Sequence, residues 1–236
     1  GFLLPLLQLL SKDKRQVQAL IIVPSRELAI QIEQVFKKMG SGFKINSCYG
    51  GHSVRIEENN LQHPPAILVG TPGRIAHHLR RKQLRTDSLQ TLVLDEFDKS
   101  LEFGFKEEME YIIGKCTGLK KRVLTSATVL SEIPPFVGLQ NSIVLDYTNE
   151  QSNPALLIKT VKVEGDDKLE ALMLLLGKIG PKSVIVFCNH REAVIRISQQ
   201  LYDYKVDHGF YHGGLEQIDR EKTLIKLRNG TIRLLI

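Results

Sequence analysis

Short apolar runs alternate with longer segments of helical period through the first 150 residues. Residues 19–23 (ALIIV) read as a buried strand and 26–39 as an amphipathic helix; the strand signal returns at 66–69, 91–94, 122–124 and 142–145. These runs lack in-out alternation, so both faces of the sheet they form are expected to be covered. Strands separated by helices predict an α/β fold: a parallel sheet with right-handed crossovers. The opening run 1–10 (GFLLPLLQLL) has no basic n-region or small-residue cleavage site and is too short to span a bilayer. It is expected to be a buried helix whose start is missing.

Residues 147–155 (YTNEQSNPA) are polar, contain a proline and interrupt the pattern, as a linker would. A second series follows: a strand at 157–163, a helix capped by Asp166 and Asp167 and running to about 179, a strand at 183–187 (SVIVF) and a helix at 192–204. The series resemble each other. In both, an apolar strand leads to a loop, an Arg-Glu pair opens a helix, and a later strand ends in Gly-Gly. Glu27 and Glu192 lie 165 residues apart, and Gly50 and Gly213 lie 163 apart. Tandem duplication accounts for this, and so does chance likeness between generic βαβ units. The expected domains are 1–148 and 156–236, joined by 149–155.

The 236 residues carry 32 basic and 26 acidic side chains, a net charge of +6, with 42% hydrophobic residues. That composition excludes a disordered chain, a collagen and a disulfide scaffold. Each half is +3, so a phosphate-binding surface has to be patterned on folded faces rather than carried by a tail. The three widely spaced cysteines form no C-x-x-C pair, which points to a reducing compartment.

Residues 91–98 (TLVLDEFD) deliver Asp95 and Glu96 to the carboxyl end of a strand. An acid there holds a nucleotide's Mg²⁺, usually through water. An adjacent Glu can orient the attacking water and accept its proton. A solvated acidic turn has the same pattern. Ser126-Ala127-Thr128 also follow a strand, and their hydroxyls either bond Asp98 or cap a helix. Pro24-Ser25-Arg26-Glu27 open a helix whose N-terminal N–H groups suit phosphate oxygens. Thr71-Pro72-Gly73-Arg74 have the same design, and Gly50-Gly51 admit a backbone closely because no Cβ intrudes. Each is also what a plain capped turn looks like; three on one sheet edge favour a phosphate track. Asn189, His212-Gly213-Gly214 and Gln217 to Arg220 would continue it, although Arg220 alone fits a solvated helix charge. Arg80-Arg81-Lys82 read as a solvated helix end. His52, His77 and His78 lack metal spacing and read as surface or loop residues.

Together, and in order, PSRELA, GG, TPGR, DEFD, SAT, VIVFCN and HGGLEQIDR resemble the successive motifs of the DEAD-box RNA helicases. The resemblance covers nearly the whole chain. It implies two tandem RecA-like domains that close around ATP, Mg²⁺ and single-stranded RNA, in the cytoplasm or another RNA-containing compartment. By this resemblance Asp95 positions Mg²⁺ and Glu96 activates the hydrolytic water. Asp98, Ser126 and Thr128 couple nucleotide state to RNA. Pro24, Arg26, Glu27, Gly50, Gly51, Thr71, Gly73 and Arg74 hold the RNA backbone on the first domain, and Asn189, Gly213, Gly214, Gln217 and Arg220 on the second. The grip is on sugar and phosphate, so it carries little sequence specificity. The sequence departs from the family where Phe97 replaces its usual Ala, expected to set a ring beside the cleft, and where His190 follows Asn189. It contains no G-x-x-x-x-G-K-[ST] loop, and the family's arginine-finger motifs are missing. Both domains are thus expected to be truncated, the first at its N-terminus and the second at its C-terminus, and the chain to be an internal piece inactive as an ATPase.

Overall fold

A computed structural model describes residues 1–51, 53–128, 130, 132–147, 157–163 and 168–236. The chain divides into two compact units, Gly1–Gln151 and Ser152–Ile236. The first contains α1 (Leu3–Leu7), β1 (Ala19–Ile22), α2 (Arg26–Lys38), β2 (Ile45–Cys48), α3 (Val54–Gln62), β3 (Ile67–Gly70), α4 (Pro72–Arg80), β4 (Thr91–Leu94), α5 (Phe97–Glu102), α6 (Lys106–Lys115) and β5 (Lys121–Leu124).

All five strands are parallel, in the order β2-β3-β1-β4-β5. Successive side chains of a strand point to opposite faces, and both faces here are apolar. Leu20, Ile22, Leu68, Leu92 and Leu94 pack with Ile75 and Leu79 of α4 and Met109 and Ile112 of α6. Ala19, Ile21, Ile67, Val69 and Val93 pack with Ala29, Ile32 and Phe36 of α2 and with Leu6. This double burial explains the unbroken apolar runs. It fails at the edge: β5 alternates between exposed and half-buried positions, with Lys121 and Val123 outward.

The second unit contains α7 (Leu169–Ile179), β6 (Val184–Ile185), α8 (Arg191–Asp203), α9 (Gln217–Arg228) and β7 (Leu234–Leu235). β6 and β7 are parallel, and Gly209 bridges to Leu235 on the other side of β7. Its small core is Val194, Leu201, Leu234 and Ile236.

Several expectations are corrected. Residues 142–145 form no strand; Ile143 and Val144 are 89% and 80% exposed. Residues 157–163 are likewise irregular, with Leu157 and Ile158 in solvent. Apolar composition cannot make a strand without a partner to complete its ladder, and among the described residues neither segment has one. The strand read at 183–187 narrows to Val184–Ile185, paired with β7, although the Val186 N–H still donates to the Leu235 carbonyl at 2.8 Å. The opening run forms only the five-residue α1; Leu6 is buried and Leu4 is 69% exposed. The linker beyond Tyr147, the caps Asp166 and Asp167, and His52 lie outside the described residues. Among the described residues no helix is long and apolar enough to cross a membrane.

Candidate functional site

The strand register builds the site. Cys48, Gly70, Ile22, Leu94 and Leu124, the last residues of β2, β3, β1, β4 and β5, stand in one row across the sheet. The segments that follow them therefore emerge on a single rim: Tyr49–Gly51, Thr71–Arg74, Val23–Glu27, Asp95–Asp98 and Thr125–Thr128. Connections from β1 run to one side through β2 and β3 and to the other through β4. Such a reversal leaves a crevice beyond the carboxyl ends of β1 and β4, where α/β sheets bind ligands. Pro24 and Asp95 flank it.

The acidic segment is held by a residue that sequence reasoning missed. The Thr125 hydroxyl donates to Asp95 Oδ1 and accepts the N–H of Glu96 at 3.2 Å, while the Thr125 carbonyl accepts the N–H of Phe97 at 2.9 Å. Its only signal was a hydroxyl residue just beyond an apolar strand, adjacent to the triplet singled out. Glu96 adopts the left-handed conformation, φ 48° and ψ 52°, a cost of about 1–2 kcal/mol for a residue with a Cβ. That turn leaves the Glu96 carboxylate exposed at the rim and sends Phe97 inward. The Phe97 ring is completely buried in the core shared with α4 and α6. The expectation of an aromatic ring beside a cleft is corrected, because the tight turn reverses the side-chain direction between adjacent residues.

Asp98 accepts from Thr128 Oγ1 at 2.9 Å. Burial raises the Asp98 carboxyl, but hydrogen bonds, that from Thr128 foremost, outweigh it and hold the group below the usual carboxylate range. Ser126 Oγ accepts the Thr128 N–H at 3.2 Å and so shapes the turn that presents Thr128. Among the described residues no helix begins at this triplet, and its hydroxyls serve the turn and Asp98 instead of a helix cap.

On the other half of the rim, Ser25 Oγ caps α2 by accepting the Leu28 N–H at 3.2 Å, next to buried Pro24. The Arg26 guanidinium lies against Gly50: a Cβ there would stand 3.2 Å from its Nη2. Gly51 has φ +84°, a conformation suited to glycine. Thr71 and Gly73 open α4, with Gly73 exposed. Arg74, expected to reach outward, is partly committed inward: Nε donates to the Tyr49 carbonyl at 3.2 Å and lies 3.4 Å from Glu57 Oε2. His78 is the clearest correction. It is fully buried, with Nε2 2.7 Å from Glu57 Oε2 and Nδ1 2.9 Å from Gln83 Oε1. It lies one turn after Arg74 on α4, and that helical spacing turns it to the same covered side. Cys48, Glu57 and His78 come within 4.8 Å of one another, but hydrogen bonds already occupy both Glu57 oxygens and both His78 nitrogens.

The second unit repeats part of this plan. Arg191 opens α8 and its guanidinium lies against Gly214, as that of Arg26 lies against Gly50. The Gly214 N–H donates to His212 Nδ1 at 3.1 Å. Gln217 Oε1 accepts from Arg220 Nη1 at 3.3 Å, and Arg220 Nη2 donates to the Tyr211 hydroxyl at 2.9 Å. Arg220 is thus held in place rather than a loose solvated charge. Asn189 and Gly213 are exposed.

Residues 1–134 match the model of the DEAD/DEAH box helicases, and residues 167–236 that of the helicase conserved C-terminal domain. The chain belongs to the DEAD/DEAH box helicase family. Among curated relatives, it is 35% identical over 244 residues to the ATP-dependent RNA helicase CshA of Listeria monocytogenes, covering 100% of this chain and 46% of the relative. It is 31% identical over 241 residues to the ATP-dependent RNA helicase DbpA of Escherichia coli, covering 100% and 53%. It therefore spans about half the length of the curated relatives it matches. A solved DEAD box protein from Methanococcus jannaschii shares 29% identity with a TM-score of 0.54, covering 100% of this chain and 64% of that one. Dbp5 of S. cerevisiae, solved bound to RNA and ADP BeF3, has a TM-score of 0.77 at 21% identity, covering 100% and 61%, and supports the tandem RecA-like fold alone.

Proposed function

We propose that these residues are the RNA-gripping and acid-bearing part of an ATP-dependent RNA helicase. It holds single-stranded RNA by its backbone on both units and couples ATP hydrolysis to local duplex unwinding or remodelling of RNA–protein complexes. The observation that carries this reading is the rim: five strand ends in register bring Glu96, Asp95, Asp98 and Thr128 to the same edge as the Gly50-Gly51, Thr71-Gly73 and Arg26 loops.

Asp95 fits a magnesium nucleotide. It is half-buried at the strand end, one oxygen is oriented by Thr125, and the other takes no hydrogen bond among the described residues. Magnesium, when bound, would neutralise triphosphate charge. Glu96 stands exposed beside it and would orient water and take its proton, base catalysis worth about 10²–10⁴-fold. On the RNA side, Gly50, Gly51, Gly73, Gly213 and Gly214 present backbone without a Cβ, with the arginines Arg26 and Arg191 set against Gly50 and Gly214, and with Thr71, Pro24 and Glu27 shaping the α4 and α2 turns. Arg26, Arg74, Asn189, Gln217 and Arg220 supply polar contacts, phosphate binding that positions a strand without reading bases. Asp98 and Thr128 link the acidic turn to the turn after β5, a route from nucleotide to RNA. The reading of an RNA clamp with weak unwinding drew on Phe97 standing at the cleft, and the buried ring withdraws that support. From the wide spacing of the three cysteines we take the compartment to be a reducing one, the cytoplasm.

No G-x-x-x-x-G-K-[ST] run occurs in the 236 residues, so we expect no RNA-stimulated ATP turnover from them alone; measurable turnover would refute this. In a chain that joins them to a phosphate loop, Glu96→Gln should retain ATP binding and abolish hydrolysis. An unchanged kcat would remove Glu96 from its role. Strand separation of RNA but not DNA duplexes would distinguish an RNA helicase from a DNA-directed one.

A further inference from the structure

Glu57 is a completely buried carboxylate that the activity outlined above does not use. A buried charge persists only where partners replace its hydration, and the identity of those partners is informative. Glu57 Oε1 accepts the Tyr49 N–H at 3.1 Å. Oε2 lies 2.7 Å from His78 Nε2 and 3.4 Å from Arg74 Nε. Arg74 Nε in turn donates to the Tyr49 carbonyl at 3.2 Å. The Tyr49 residue immediately before Gly50-Gly51 is therefore clamped at both backbone polar groups, its N–H by Glu57 and its carbonyl by Arg74. Three separate elements, the loop after β2, helix α3 and the first turns of α4, meet at one carboxylate.

We propose that Glu57 is a positioning residue for RNA binding: by holding the Tyr49 N–H, Arg74 and His78 together it fixes the Gly-Gly loop and the Thr71–Arg74 turn as one rigid half of the phosphate track. This rests on the RNA-binding reading above. Glu57 is out of reach of a ligand, so it acts through Arg74 and the backbone of Tyr49. His78 extends the hold through Gln83, whose Nε2 donates to Glu58 Oε1 at 2.6 Å.

The sign of the effect separates positioning from simple electrostatics. Removing a negative charge near an RNA-binding surface should by itself tighten binding to a polyanion. Loss of a positioning residue should weaken it. The test is fluorescence anisotropy of the 236-residue chain with a labelled single-stranded oligouridylate at low salt, using Glu57→Gln, Glu57→Ala, Arg74→Ala and the Glu57→Gln/Arg74→Ala pair. Thermal unfolding confirms that each variant is folded at the assay temperature. Glu57→Gln preserves shape and keeps the measurement interpretable if the alanine variant does not fold.

We expect Glu57→Gln to bind RNA roughly five- to fifty-fold more weakly, and to add little once Arg74 is alanine, because coupled residues are non-additive. Amide exchange at Tyr49 should accelerate in the same variant. Unchanged or tighter RNA binding by folded Glu57→Gln would overturn the proposal while leaving the RNA-binding reading intact. Failure of the unsubstituted chain to bind RNA at low salt would remove that reading, and the proposal with it.

Discussion

Replacing Phe97 by Ala separates a structural account of the acidic turn from a catalytic one. The ring is completely buried, among the largest such side chains in the first unit, in the cluster that joins the sheet to α4 and α6. Truncation removes its transfer free energy and leaves a cavity that the surrounding leucines and Met109 fill only in part. Buried Phe→Ala changes cost about 3–5 kcal/mol, a large share of the roughly 5–15 kcal/mol that stabilises a domain. For a unit of this size about 1 kcal/mol moves Tm by 2–4 °C, so the expected drop is roughly 6–20 °C. Urea denaturation followed by circular dichroism measures the free energy and differential scanning calorimetry the midpoint. Because the ring lies in the core and none of Arg26, Gly50-Gly51 or Thr71–Arg74 depends on it for a hydrogen bond, RNA affinity of the folded variant should stay within about twofold. A loss of stability under 1 kcal/mol would show that the ring is not in the core. A large change in RNA binding without loss of stability would return it to the rim.

Other substitutions test neighbouring contacts. Gly70→Ala places a Cβ 2.5 Å from the Cys48 carbonyl oxygen and 2.7 Å from Ile75 Cδ1; overpacking of this kind costs about 1–3 kcal/mol or more, and chemical denaturation should show it. Thr125→Val, in a chain supplied with a phosphate loop, should lower kcat more than it raises KM for ATP, since it removes the hydroxyl that orients the Asp95 carboxylate and holds the Glu96 N–H; an unaltered kcat would contradict that role. The Asp98 carboxyl is depressed in the folded state, so its contribution to stability is fully present above the usual carboxylate pKa and is lost as pH falls through the lower folded value. Thr128→Val should move that loss to higher pH in acid-unfolding curves. Burial pushes the Cys116 thiol up to about 12 and that of Cys48 further. Iodoacetamide at pH 8 should therefore spare both until the chain is unfolded.

Much of this was legible in the sequence where a chemical demand coincides with a periodicity. Residues 91–94 read as a buried strand because both faces are packed, and that strand delivers Asp95 to the rim. The fold followed from such runs. The segments 142–145 and 157–163 misled because apolar content resembles a strand whether or not a ladder partner exists. Within the site, loops opened by Pro, Gly or a hydroxyl residue stood out, whereas Glu57 did not. It sits in a polar helical stretch, VRIEENNLQ, and only the tertiary arrangement reveals that its face also carries buried Leu61 and meets Arg74 and His78. Phe97 was identified correctly but aimed wrongly, because a left-handed residue before it is not visible in composition.

The central claim, that RNA lies along the rim formed by the carboxyl ends of the five strands, is tested most directly by mapping ultraviolet crosslinks between single-stranded RNA and the 236-residue chain by mass spectrometry. The account predicts crosslinks in the segments holding Arg26, Gly50-Gly51 and Thr71–Arg74, weakening steeply as salt rises. Crosslinks concentrated on the opposite edge of the sheet, around Gln18, Lys44, Ala66, Gln90 and Lys120, would contradict it.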